Sequence, residues 1–152
     1  MISYEKAKLT DIEAMQELVK DEVENGNILY RSSDEIATNI RSYVIAKEDD
    51  EIVGFTALHI HSPNLAEIRS LVVSKSHRSK GIGKNLVIKA VEDGKKIGVK
   101  KIFTLTYVKK FFENIGFKEI PKESLPEHKI WADCIKCKHF PICDEIALIK
   151  EI

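Results

Sequence analysis

The stretch Leu65–Asn85, LAEIRSLVVSKSHRSKGIGKN, constrains the fold more than any other part of the chain. It runs from an apolar strand ending in Leu71, Val72 and Val73, through a short basic turn, into a glycine-punctuated helix start. The turn reads R-x-x-G-x-G at Arg78, Gly81 and Gly83, with Ser79, Lys80, Ile82 and Lys84 filling in around it. Successive backbone N–H groups at a helix start, beside glycines that permit close approach, make an anion site. Lys75, Arg78, Lys80 and Lys84 add charge suited to a phosphate. The same residues also suit an ordinary solvated loop, and the loop alone does not choose between the two.

The flanking sequence supplies the elements around it. Ile2 to Lys8 alternates as an opening strand, and Thr10-x-x-Glu13 matches a capping box for a helix carrying Ile12, Met15, Leu18 and Val19. Asn25-Gly26-Asn27 ends that helix, and Ser33 opens a shorter one with Ile36, Ala37 and Ile40. Between them the apolar run Ile28-Leu29-Tyr30 ends in Arg31, which is either solvated or placed where the loop closes over a cleft. Tyr43 to Ala46 and Ile52 to Ile60 form a hairpin across Glu48-Asp49-Asp50-Glu51, and His61 to Asn64 turns into the strand Leu65 to Val73. On that strand Glu67 and Arg69 share one face, with Ile68 and Ser70 on the other.

From Gly83 to Ile97, Leu86, Val87, Ala90 and Val91 make an apolar helical stripe that Gly98 stops. Ile102 to Leu105 is a short buried strand, Phe111 to Ile115 a brief helix closed by Gly116, and Phe117 re-enters the sheet. Pro121 to Glu127 is a linker, and Ile146 to Ile149 a last strand. The order β-α-α-β-β-β-α-β-α-β gives a single α/β domain over residues 1–152, with a mixed, mostly antiparallel central sheet flanked by helices.

Charge narrows the partners. Lys plus Arg and Asp plus Glu balance at 24 each, so no global field draws the chain to nucleic acid or to a membrane, and phosphate recognition must be local. No apolar run approaches the roughly 18 residues of a membrane span, and the N-terminus has no signal-peptide core. These features lead to the expectation of a soluble, cytoplasmic protein. All three cysteines fall in one tract within residues 128–145, an odd number that makes a poor disulfide framework. Cys134, Cys137 and Cys143, with His128 or His139 nearby, have half the spacing of a zinc site. A structural zinc, reduced cysteines packed in a loop, and a redox or iron–sulfur remnant all fit that pattern.

R-x-x-G-x-G after a strand, with the late F-F-x-x-x-G-F from Phe111 to Phe117, resembles the Gcn5-related N-acetyltransferase (GNAT) superfamily from about Ile2 to Phe117. The resemblance implies acetyl-coenzyme A as cosubstrate, its pyrophosphate on the amides of Arg78 to Lys84 and its pantetheine arm along Leu71 to Val73. A narrower likeness runs through Ile28-Leu29-Tyr30-Arg31-Ser32, Ala66-Glu67-Ile68-Arg69, Leu105-Thr106-Tyr107 and the tail from Trp131 to Glu145. These segments resemble short amino-acid N-acetyltransferases and the acetyltransferase domain of N-acetylglutamate synthases, which implies L-glutamate as acceptor and a role in arginine biosynthesis. Members of the superfamily are often homodimers, which sets that expectation here.

Acetyl transfer needs a deprotonated amine, a held carbonyl and a proton for the departing thiolate. Glu67 is the expected base, since the resembling synthases carry a glutamate there, although a charged strand residue paired to a neighbouring cation is the plainer reading. The amide near Val72 is placed to polarise the thioester carbonyl. Many members carry a tyrosine in the late helix as general acid, but Phe112 stands at that place, which leaves Tyr107 as the substitute or no acid at all. Arg31 is the first candidate for binding a substrate carboxylate and Arg69 the second, while Arg41 reads as an exposed helix charge. Besides glutamate, another small amine or a protein N-terminus fits the same chemistry. A non-catalytic CoA-binding or metal-sensing module is the reading from a different class.

Overall fold

A computed structural model describes residues 1–125 and 145–152. Among these residues, strands β1 (Ile2–Lys6), β2 (Tyr43–Glu48), β3 (Glu51–Ser62), β4 (Leu65–Val73), β5 (Lys101–Thr106), β6 (Lys118–Ile120) and β7 (Ile146–Glu151) form one sheet in the order β1-β2-β3-β4-β5-β7-β6. The pairing is antiparallel throughout except between β4 and β5. Helices α1 (Ile12–Glu24), α2 (Ser33–Thr38), α3 (Ile82–Ile97) and α4 (Lys109–Glu113) cover its faces. The expected α/β class and mixed sheet are therefore present.

Two apolar layers hold the helices to the sheet. Leu86, Val87, Ala90 and Val91 of α3 pack on Val53, Leu58, Ala66, Ile68 and Ile102, with Phe112 and Phe117 closing the same layer. On the opposite face Ile12 and Met15 of α1 and Ile36 of α2 bury Tyr43, Ile45, Phe55, Ala57 and Val72. Burial of this aliphatic and aromatic surface is the main force behind the fold.

Several local readings change. No side chain caps α1 at its start; Thr10 lies in a 3₁₀ turn, Leu9–Asp11, in which Lys8 N–H donates to Asp11 Oδ2 at 2.8 Å. The Asp11 carboxylate, two residues before Glu13, takes the back-bonding role that the capping box gave to Glu13. The acidic hairpin turn tightens to Asp49 and Asp50, both at positive φ (50° and 69°), as the twist of a two-residue hairpin demands. β3 continues past Ile60 to Ser62, so His61 belongs to the strand and not to the turn after it. Phe117 stays in the core just before β6, and the last strand, β7, inserts between β5 and β6.

The change that matters most for function lies in β4. Ala57 faces Arg69 and Phe55 faces Val72, so one residue of β3, Thr56, spans two of β4, Ser70 and Leu71. Ser70 takes φ 58°, the mark of a bulge. The extra residue resets the alternation: Ala66 and Ile68 face α3, and so do Leu71 and Val73, whereas Val72 turns to the α1 side. Ser70 consequently lines a cavity with Tyr43 and Phe55, opposite to the face expected from simple alternation.

Candidate active site

The site grows from the divergence of β4 and β5. Their parallel ladder pairs Leu65–Glu67 with Lys101–Phe103 and goes no further. Beyond it the Thr104 hydroxyl donates to the Ile68 carbonyl at 2.9 Å, and β5 turns its remaining pairing to β7, out to Thr106 and Ile146. No ladder pairing joins β5 to Leu71–Val73 among the described residues, so this edge of β4 is open to the backbone-like amides of an extended ligand.

At the end of that edge the basic turn enters α3. Gly81 is the residue before the helix, with φ 81°, and Asn85 N–H reaches its carbonyl at 3.0 Å. The helix thus begins at Ile82, one residue earlier than expected. Ser79 also takes positive φ, 66°, which folds the turn so that its amides gather at the head of a 16-residue helix. A Cβ on Gly83 would stand 3.5 Å from the Phe111 ring, in ordinary contact, while one on Gly81 meets nothing within 4 Å. Gly81 is therefore required for its backbone angle and not for space. Gly81→Ala should cost about 1–2 kcal/mol and lower Tm by several degrees in thermal denaturation; an unchanged Tm would mean that the turn relaxes to another path.

The Arg78 side chain is used within the turn. Its Nε–H donates to the Val73 carbonyl at 3.2 Å and Nη2 pairs with Glu22 of α1 at 3.2 Å. Lys75 lies 3.6 Å from Asp21 of the same helix. The two contacts tie the turn to α1 across the end of β4. Lys80 lies in the turn and Lys84 in the first turn of α3, and neither is in an ion pair among the described residues.

On the α1 side of the sheet a cavity of about 200 Å³ lies between α1, the loop to α2, and strands β2 to β4. Arg31, Gln16, Lys20, Tyr43, Phe55 and Ser70 are among its walls. Arg31 arrives there because Ser32 caps α2, its hydroxyl oxygen accepting the Glu35 N–H at 3.1 Å, and the Gln16 amide donates to the Arg31 carbonyl at 3.3 Å. The guanidinium is nearly buried and pairs through Nη1 with Glu35 Oε2 at 2.8 Å. It is not the solvated loop cation of the plainer reading.

Tyr43 is a functional candidate that the sequence did not single out. It is 2% exposed, and burial pushes its hydroxyl above the usual phenol range, with the charges of Arg31 and Arg69 pulling it down and Glu35 pushing it up. The Arg31 guanidinium and the neutral Tyr43 phenol thus stand together in the cavity wall, and the charge of Arg69, which is not among the lining residues, also acts on that phenol. Such a set suits a ligand carboxylate. Arg69 reaches this group from the strand position directly before the bulge, and Thr56 Oγ1 donates to its carbonyl at 3.2 Å.

Glu67 lies three residues upstream of Ser70 and is one of the most deeply buried side chains, 1% exposed. Its Oε1 is 2.9 Å from His61 Nε2. A histidine of β3 is thus one partner of this carboxylate. Tyr107 follows β5 directly and is 40% exposed, and Phe112 is buried in the core against Phe111 and Phe117. Cys134, Cys137, Cys143 and His128 lie outside the described residues; among the described residues no group of three metal-ligating side chains occurs. Likewise no described helix is long and apolar enough to cross a membrane.

Comparison with known proteins fits this arrangement. The model of the acetyltransferase (GNAT) family matches residues 9–117, which contain the bulged strand, the glycine turn and α3. An uncharacterized N-acetyltransferase of Chlorobaculum tepidum is 39% identical over 146 residues, 96% of this chain and 94% of its own length. The amino-acid acetyltransferase of Aeromonas salmonicida is 28% identical over 122 residues, which cover 79% of this chain but only 28% of that longer protein. In structure, the N-acetylglutamate synthase of Neisseria gonorrhoeae, solved with coenzyme A and N-acetylglutamate, superposes with a TM-score of 0.88 at 23% identity, over 99% of this chain and 35% of that one. With the family model spanning most of the sequence, the chain belongs to the GNAT family of acetyltransferases.

Proposed function

We propose that this acetyltransferase moves the acetyl group of acetyl-CoA to the α-amino group of L-glutamate. The observation that carries the reading is the cavity wall: Arg31 with Tyr43 and the charge of Arg69, set against the β4 bulge beside the open strand edge. An acceptor carboxylate would meet the Arg31 guanidinium, the Lys20 ammonium and the neutral Tyr43 hydroxyl there, on a wall that also carries Glu24. The same fold in a synthase solved with coenzyme A and N-acetylglutamate supports the choice.

In this reading the amides from Arg78 to Lys84 hold the pyrophosphate and the edge Leu71–Val73 receives the pantetheine arm. The amide near Val72 polarises the thioester carbonyl, and Glu67 takes the proton from the acceptor ammonium. Arg31 and Arg69 bind carboxylate. Tyr107, at the end of β5, is the candidate to return a proton to the thiolate. The zinc reading of the cysteine tract plays no part in these steps.

Thiol release from acetyl-CoA, measured across the amino acids and a set of polyamines, tests the proposal. Glutamate should give the highest kcat/KM, with aspartate and glutamine below it. A polyamine or an N-terminal peptide in first place would overturn the acceptor, and no release with any amine would favour the non-catalytic CoA-binding reading.

A further inference from the structure

We propose that His61 is the proton carrier of this site, taking from Glu67 the proton that Glu67 removes from the acceptor ammonium. The proposal rests on the reading of Glu67 as the base. The reaction itself creates the need for a carrier. The ammonium gives one proton to Glu67, and the freed lone pair forms the N–C bond. The C–S bond then breaks with its electron pair leaving on sulfur, and the second nitrogen proton goes to the thiolate to give the thiol. One proton per turnover is left on Glu67 and must leave before the next ammonium binds.

Glu67 has little direct access to water, because its side chain is 2% exposed. His61 Nε2, at 2.9 Å, is in hydrogen-bond contact with the carboxyl oxygen, and the ring is itself only 3% exposed. An imidazole can accept a proton at one nitrogen and release one from the other, which an amide or hydroxyl at the same place cannot do at neutral pH. The ring plane is fixed on two sides: Phe103 of β5 stacks on it at 5.3 Å and 29°, and His59 stands edge-on at 4.8 Å. Register explains why these groups meet. His59 is the direct cross-strand partner of Glu67, and the register shifts between Ile60 and Ser62, so His61 is the extra residue of that irregularity, with its ring against the Glu67 carboxyl. His59 is a second titratable ring on the same strand, and it and His61 are both half-buried as whole residues.

A purely orienting histidine would make the same contact, so the test must separate donation from transport. His61→Gln keeps an N–H for Glu67 but carries no proton; His61→Ala removes both functions and leaves space for free imidazole. With the amine that the wild-type enzyme acetylates best, H61Q should lose at least about tenfold in kcat, with both KM values unchanged. H61A should fall similarly and recover in proportion to added imidazole, with Tm measured to show that each variant is folded. H61Q at wild-type kcat, alongside an inactive Glu67→Gln, would overturn the carrier and leave the base in place. A folded H61A that imidazole does not accelerate would also overturn it. Full activity in Glu67→Gln would instead remove the base reading, and the carrier with it.

Discussion

Replacing Glu67 by glutamine should lower kcat by about 10²–10⁴-fold, the range general-base catalysis supplies, with little change in either KM. The exchange is nearly isosteric, and an amide can still hydrogen-bond His61 across the 2.9 Å contact, so packing around the buried side chain is preserved. What is lost is the capacity to take a proton. An ammonium is a poor nucleophile because its lone pair is occupied, and without Glu67 attack must await the small fraction of free amine already present. Raising the pH increases that fraction, so the variant should gain more from alkaline conditions than the wild type does. Steady-state kinetics for both substrates, with Tm as a control for folding, decide the matter. A kcat within about threefold of wild type at neutral pH would remove Glu67 from the chemistry.

The glycine turn and the strand before it were legible in the sequence because their determinants are local. Gly81 at φ 81° and Gly98 at φ 97° mark the start and stop of α3 through backbone angles that few other residues tolerate. Periodicity likewise located Leu86, Val87, Ala90 and Val91 in the core. The bulge at Ser70 was not legible: no glycine marks it, and strict alternation put Ser70 with Ile68 on the α3 side. Its φ of 58° is imposed by the pairing of β4 with β3, a long-range constraint. The position of β7 between β5 and β6 is of the same kind, since pairing order depends on partners distant in sequence.

At the site, Glu67 and Arg31 were proposed through a family likeness, and their hydrogen-bond partners His61 and Glu35 were not foreseen. His61 was read as a turn residue because β3 was ended at Ile60. Extending β3 through His59 would have paired that residue with Glu67, but His61 falls in a register shift between Ile60 and Ser62 that alternation does not foresee. Tyr43 gave no signal beyond an aromatic at a strand start. It became a candidate because the charges of Arg31 and Arg69, from different elements, both act on its hydroxyl.

Replacing Arg31 by alanine should raise the KM for glutamate by about 10–150-fold, the equivalent of about 1.5–3 kcal/mol for a hydrogen bond to a charged group, and change the KM for acetyl-CoA by less than about twofold. The asymmetry follows from position. Arg31 lines the cavity on the α1 side, whereas the open edge Leu71–Val73 and the turn into α3 lie beyond the bulge. Glu35 holds Nη1 of Arg31 at 2.8 Å and is itself more than a third exposed, so removing the arginine leaves a carboxylate that water can solvate. The loss in stability should accordingly be small and the loss in acceptor binding large. Arg31→Lys separates charge from shape: an ammonium retains the attraction but not the planar fork that grips two carboxylate oxygens, so its KM should fall between those of wild type and R31A. Equal rises in both KM values for R31A would locate its effect in the fold of the α1–α2 loop. No rise in either would move the carboxylate site to Arg69, whose position before the β4 bulge is the other source of positive charge at Tyr43.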